Sequence, residues 1–127
     1  MGAELDEIKF VINDIPKPLN KTLRMNRYER SHYYHRWYNL VRLHVIKMRP
    51  AKPWERVKLQ IYVYLPKRRF RDYDGLVGSA KPLADGLTRA GIIKDDNYVV
   101  TGQWDVQQFS EPDKAKTRVE VKIQRVE

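Results

Sequence analysis

The chain has 127 residues, 42% of them hydrophobic and 32% charged, with 3 Trp, 8 Tyr and 3 Phe and a net charge of +9. That size and balance predict one folded domain, residues 1–127, and exclude wholesale disorder. The absence of cysteine excludes disulfide staples, zinc ribbons and thiol chemistry. No apolar run approaches the roughly 18 residues of a membrane span, and the first residues are acidic where a signal peptide is basic, so a cytoplasmic protein without a membrane partner is expected.

The charge is concentrated. Residues 17–71 hold sixteen Lys/Arg against only Glu29 and Glu55, whereas the segments on either side are slightly acidic. Such a field attracts phosphate backbones and makes nucleic acid the expected partner, against the plainer reading of a merely solvated surface. Tyr and Trp interleaved with the bases between Arg24 and Arg42 favour nucleic acid further.

In chain order, Ile8–Ile15 alternates like a strand, which Pro16 and Pro18 stop. Lys17–Ser31 is basic and poor in apolar periodicity, and reads as a loop or arm. From Ser31 to Met48 the spacing of Tyr34, Trp37, Tyr38, Val41, Val45 and Met48 predicts a helix whose aromatics belong to the core. Val57–Leu65 alternates cleanly, with Leu59, Ile61, Val63 and Leu65 on one side. Asp72–Ser79 reads as a strand-to-helix turn, and a helix follows from Ser79 to Ala90 with Pro82 in its first turn and Gly91 as terminator. Val99–Val106 and Arg118–Val126 read as two more strands. The order predicts an α+β fold, a mixed sheet of four to five strands with two helices packed on it.

Acids placed beside the basic cluster suggest chemistry. Asp72 and Asp74 follow Lys67-Arg68-Arg69-Phe70-Arg71 directly and, in an extended segment, project to the same side. Asp95-Asp96 follows the second predicted helix. Convergence of these carboxylates would create a hard-oxygen site for Mg²⁺, suited to phosphodiester hydrolysis. The same residues also read as turn and N-cap elements, and the spacing leaves both readings open. His32, His35 and His44 form no known catalytic pattern, and no Walker-type loop is present.

The run Leu65 to Asp74, followed by Lys81, Asp85-Gly86-Leu87-Thr88-Arg89-Ala90-Gly91 and Asp95-Asp96, resembles the RusA family of Holliday-junction resolvases, often carried by prophages. The opening, a first strand followed by Pro16-x-Pro18-Leu19-Asn20-Lys21, a basic arm and a helix, is similar too. The interval from Asp74 to Lys81 is longer than in the family, which places Lys81 at a helix start, and Gly75 stands where the family often has Asn. The resemblance implies a RusA-like homodimer that resolves four-way DNA junctions by paired nicks in recombination and repair, in the cytoplasm of a bacterial or phage-infected cell. It implies Asp72, Asp74 and Asp96 as metal-binding and catalytic carboxylates for Mg²⁺, with Mn²⁺ as the alternative ion, and Lys81 as a catalytic lysine. Lys67, Arg68, Arg69 and Arg71, with Lys21, Arg24 and Arg27 from the arm, are expected to grip the DNA backbone. The rival expectations are a non-catalytic basic nucleic-acid-binding module and a related nuclease for flaps or forks.

Overall fold

Four strands and five α-helices make up residues 6–126, the part of the chain that the computed structural model describes. Strand β1 (Glu7–Ile12) buries Ile8, Phe10 and Ile12 and ends earlier than its apolar pattern predicts, where Asn13 and Asp14 turn the chain. Asp14 accepts a hydrogen bond from the Ile15 amide and pairs with Arg36.

The segment expected to be a loop or arm is helical. It contains α1 (Leu19–Leu23), and α2 (Arg27–Val45) starts a turn before Ser31. The start of α2 is fixed by a reciprocal cap: Asn26 accepts from the Glu29 amide at 2.9 Å, and Glu29 accepts from the Asn26 amide at 3.2 Å. Helix α2 buries Tyr33, Trp37, Val41 and Val45, and a short 3₁₀ turn (Ile46–Met48) ends it. Arg30 reaches back along α2 to donate to the carbonyls of Thr22, Leu23 and Met25, so the longer helix holds the end of the shorter one.

Strand β2 (Val57–Leu65) alternates as its sequence predicts, every odd residue buried. A 3₁₀ turn (Lys67–Arg69) leads to α3 (Tyr73–Ser79), where the sequence suggested a turn. Only Ala80 separates α3 from α4 (Lys81–Arg89). Pro82 lies in the first turn of α4, where its missing amide proton is harmless, and Gly91 takes the left-handed conformation, φ +79°, that ends the helix. The strand predicted over Val99–Val106 is corrected: Asn97 accepts from the Val100 amide and caps α5 (Tyr98–Thr101), and β3 is Asp105–Ser110. Strand β4 (Arg118–Arg125) closes the fold.

The protein is therefore α+β, with a four-stranded mixed sheet ordered β1-β4-β2-β3. β4 runs antiparallel to both of its neighbours, and β2 and β3 are parallel, so β1, β2 and β3 all point the same way. The face carrying Ile8, Leu59, Ile61 and Val121 is buried under the helices, with Trp37 at the centre of the core. The opposite face, carrying Lys9, Tyr62 and Lys122, is uncovered. Helix α3 lies close against α1, because Gly78 lets it: a Cβ there would stand 2.6 Å from the Cβ of Leu19.

Candidate functional site

The parallel arrangement carries the chain ends of β1, β2 and β3 to one end of the sheet. The segments that leave β1 and β2 there, α1 and the 67–75 stretch, face each other across a groove of about 600 Å³. Its lining includes Lys21 from α1, the run Arg68 to Asp72, and Asp74 in the first turn of α3. Of the expected backbone-gripping residues, Lys21, Arg68, Arg69 and Arg71 line the groove. Arg24 caps the end of α1, Arg27 opens α2 and Lys67 begins the 3₁₀ turn, all three exposed on flanking elements. None of the four groove bases forms a salt bridge among the described residues.

Arg71 is held by its backbone. Gln108, on β3, accepts from the Arg71 amide at 3.1 Å and donates to its carbonyl at 2.8 Å, a two-bond clamp across 37 residues of sequence. The guanidinium is half-buried, and its Nη1 has no hydrogen-bond partner. Burial and the neighbouring Arg69 push it down to about 10. A cation in that condition gains from any phosphate oxygen that reaches it.

Asp72 is the N-cap of α3, and its Oδ1 accepts from the Gly75 amide at 2.9 Å. The pair is thus not arranged as the extended-segment expectation has it, for Asp72 is extended and Asp74 helical, yet both face the groove. The turn-and-cap reading holds for Asp72, and one carboxylate oxygen remains for other work.

The remaining expected residues form a second cluster. Lys81, the first residue of α4, donates to Asp96 Oδ2 at 2.6 Å and lies 3.3 Å from Asp85 Oδ1. Tyr38 donates to Asp85 Oδ2 at 3.4 Å, and the Arg89 guanidinium sits 4.4 Å over the Tyr38 ring. Burial, then the hydrogen bond and charge of Asp96, raise the Asp85 carboxyl against the pull of Lys81. Burial also works to raise Asp96, but Lys81 and Asp85 outweigh it and hold Asp96 below the usual carboxylate range. Lys81 is opposed by its own burial and nonetheless held above the ordinary lysine value by the two carboxylates. It is a fixed ammonium, not a base. Asp95 does local work, accepting from the Asp96 amide and the Asn97 side chain.

The structure therefore brings Asp72 and Asp74 to the groove and joins Lys81 to Asp96; these last two are not part of the groove lining. Oxygen-only carboxylates suit Mg²⁺ in kind. Among the described residues no three acids or histidines converge as a ready-made metal cage; Asp96 spends its Oδ2 on Lys81. Sequence reasoning missed Asp85 and Gln108. Asp85 carried a signal, its place four residues after Lys81 on one helix face; Gln108 carried none. His32 and His35 are exposed on α2. No helix is long and apolar enough to cross a membrane among the described residues. No protein-family model matches the chain, and no curated protein matches it.

Proposed function

We propose that the chain is a structure-selective DNA endonuclease of the RusA type, a homodimer that resolves four-way junctions with Mg²⁺ in the cytoplasm of a bacterial or phage-infected cell. The observation that supports this reading best is the acid pair Asp72 and Asp74 in a groove whose four bases, Lys21, Arg68, Arg69 and Arg71, form no salt bridge among the described residues. A groove meant only to hold phosphate gains nothing from two carboxylates, which repel it unless a cation intervenes.

Lys21, Arg68, Arg69 and Arg71 bind the backbone, with Arg24, Arg27 and Lys67 extending the contact along the flanks. These residues confer affinity and orientation, not base specificity. Asp72 and Asp74, joined by Asp96, would hold the ion. When bound, Mg²⁺ polarises the phosphate and makes a water nucleophilic near neutral pH. For Asp96 to take part, Lys81 must leave it, and the freed ammonium then turns to the phosphate, whose developing charge it stabilises. Asp85 keeps Lys81 tethered through that exchange, since it contacts the ammonium independently of Asp96.

The test is cleavage of a synthetic four-way junction with and without Mg²⁺, beside a linear duplex, for the native protein and Asp72→Asn. Asn caps a helix as well as Asp, so the variant keeps its fold. The expected result is Mg²⁺-dependent cutting of the junction alone, lost in the variant while binding stays or tightens. Equal cutting by the variant overturns the site. A second reading, a binding module without catalysis, is favoured by the engagement of Asp72 as a cap and of Asp96 by Lys81. It predicts junction binding with no cutting in Mg²⁺ or Mn²⁺. Faster cutting of flaps or forks in a panel of branched DNAs would shift the substrate and leave the chemistry intact.

A further inference from the structure

One apolar ring stands among the charges of the groove. Phe70 lines it between Arg69 and Arg71 and is 41% exposed, while Leu23, the last residue of α1, lines the other wall and is 63% exposed. Single exposed apolar side chains are common and ask for no explanation. Phe70 differs from such a residue in its neighbours, its backbone and its lack of a partner.

The neighbours are the cations proposed to bind phosphate. A strand whose phosphates meet Arg69 and Arg71 carries its sugars and bases past the residue between them. The backbone is fixed on both sides. The Phe70 amide donates to the Lys67 carbonyl at 3.0 Å, closing the 3₁₀ turn, and the residue after it is held by the Gln108 clamp. Phe70 itself is extended, with φ −58° and ψ 145°. A ring on so constrained a stretch has little further freedom to lose on binding. Among the described residues it stacks on no aromatic or cationic neighbour. Phe109, the phenylalanine of the uncovered sheet face, by contrast lies 5.2 Å from the rings of both Tyr62 and Tyr64. The fold uses the face of one phenylalanine and leaves that of the other unused.

To a nucleic acid, an unused ring is a stacking platform. The bases of a continuous duplex are already stacked on one another, and a side chain inserted between them must first part them. At a branch the stack is interrupted, and a base there meets a ring without that cost. The arginines cannot make this distinction, because phosphates line branched and continuous DNA alike. We infer that Phe70 is the residue by which the groove tells branched from continuous DNA, stacking on a base left open at the branch, with Leu23 offering an apolar contact from the opposite wall. The inference rests on the proposed reading of the groove as a site for branched DNA.

The test is binding in EDTA, where no cutting intervenes, to a four-way junction and to a linear duplex of the same sequence. Phe70→Ala should weaken junction binding by about tenfold or more and duplex binding by less than about twofold. Phe70→Trp should keep the preference, and Phe70→Leu, apolar but without a π face, should lose most of it. Phe70 lies outside the core, so the variants keep the fold, which thermal melting checks. As a direct readout, 2-aminopurine is placed in turn at each branch nucleotide. At saturating protein its emission should change at one or more positions with the native chain and at none with Phe70→Ala. Equal weakening of both DNAs by Phe70→Ala, no weakening of either, Leu serving as well as Phe, or a native chain without preference for the junction overturns the inference. A preference that depends on Phe70 but brings no cutting in Mg²⁺ overturns the cleavage reading alone. Mg²⁺-dependent cutting that stays confined to junctions in Phe70→Ala overturns the inference alone.

Discussion

The groove and the Lys81 cluster use the same materials, two carboxylates with a cation among them, and treat them in opposite ways. In the cluster the charges satisfy one another. Lys81 spans Asp85 and Asp96, Tyr38 closes the far side, and the two carboxyls are displaced in opposite directions, Asp85 upward by burial and by Asp96, Asp96 downward by Lys81 and Asp85 against its burial. In the groove the charges are held apart by backbone. Asp72 is fixed by the Gly75 amide, and Arg71 by Gln108, while the guanidinium itself is left without a partner. A folded chain that leaves a half-buried cation unpaired gives up stability there, which an anion bound in the groove would restore.

Substitutions can break this contrast in graded steps. The largest effect is expected from Gly78→Val. With a Cβ at 2.6 Å from Leu19, α3 must move from α1, destabilising the protein by about 1–3 kcal/mol. Thermal melting should fall accordingly, and junction affinity should fall beyond what the melting explains. Next come two cation removals of opposite sign. Arg71→Met should stabilise the fold by up to about 1 kcal/mol while weakening DNA binding on every sequence and lowering the salt slope by about one. Lys81→Met should destabilise it by less than about 1 kcal/mol near pH 7, the half-exposure of Lys81 limiting the loss. Chemical denaturation and binding isotherms at several salt concentrations measure both. A groove arginine whose loss destabilises the fold would mean that it has an internal role after all.

The smallest effect concerns pH. The Asp85 carboxyl is raised in the folded state, so its favourable contribution is present below its unfolded-state value and is lost as pH rises through the folded one. Asp85→Asn should therefore stabilise the protein by about 0.5 kcal/mol or less at pH 7, and the difference should vanish near pH 3, where Asp85 is protonated. Melting curves at the two pH values check it. Asp96, lowered in the fold, behaves in reverse, and its contribution disappears as pH falls.

Much of the architecture was legible because it follows local rules. β2 and β4 alternate, Gly91 terminates α4 at positive φ, and Pro82 falls where a helix tolerates it. Errors arose where a polar device outweighed apolar pattern. The Asn26–Glu29 cap starts α2 inside a segment with little periodicity, and Asn97 turns the β-branched Val99-Val100 into a short helix. Of the site, the acids and the basic run were visible in sequence, and the helix that carries Lys81 was placed within two residues of its start. Which acids meet was not, because it depends on how α4 returns towards residue 96, and the Gln108 clamp joins residues too distant for any spacing rule.

The pairing of the first and last strands has a practical side. The Arg125 amide donates to the Asp6 carbonyl at 2.8 Å, so both extremities of the described chain emerge together, at the pole of the sheet farthest from the groove. A fluorophore, an affinity handle or a surface tether attached beyond either of these residues therefore starts at the far side from the groove, and a linker between them would give a circularly permuted protein with its groove untouched.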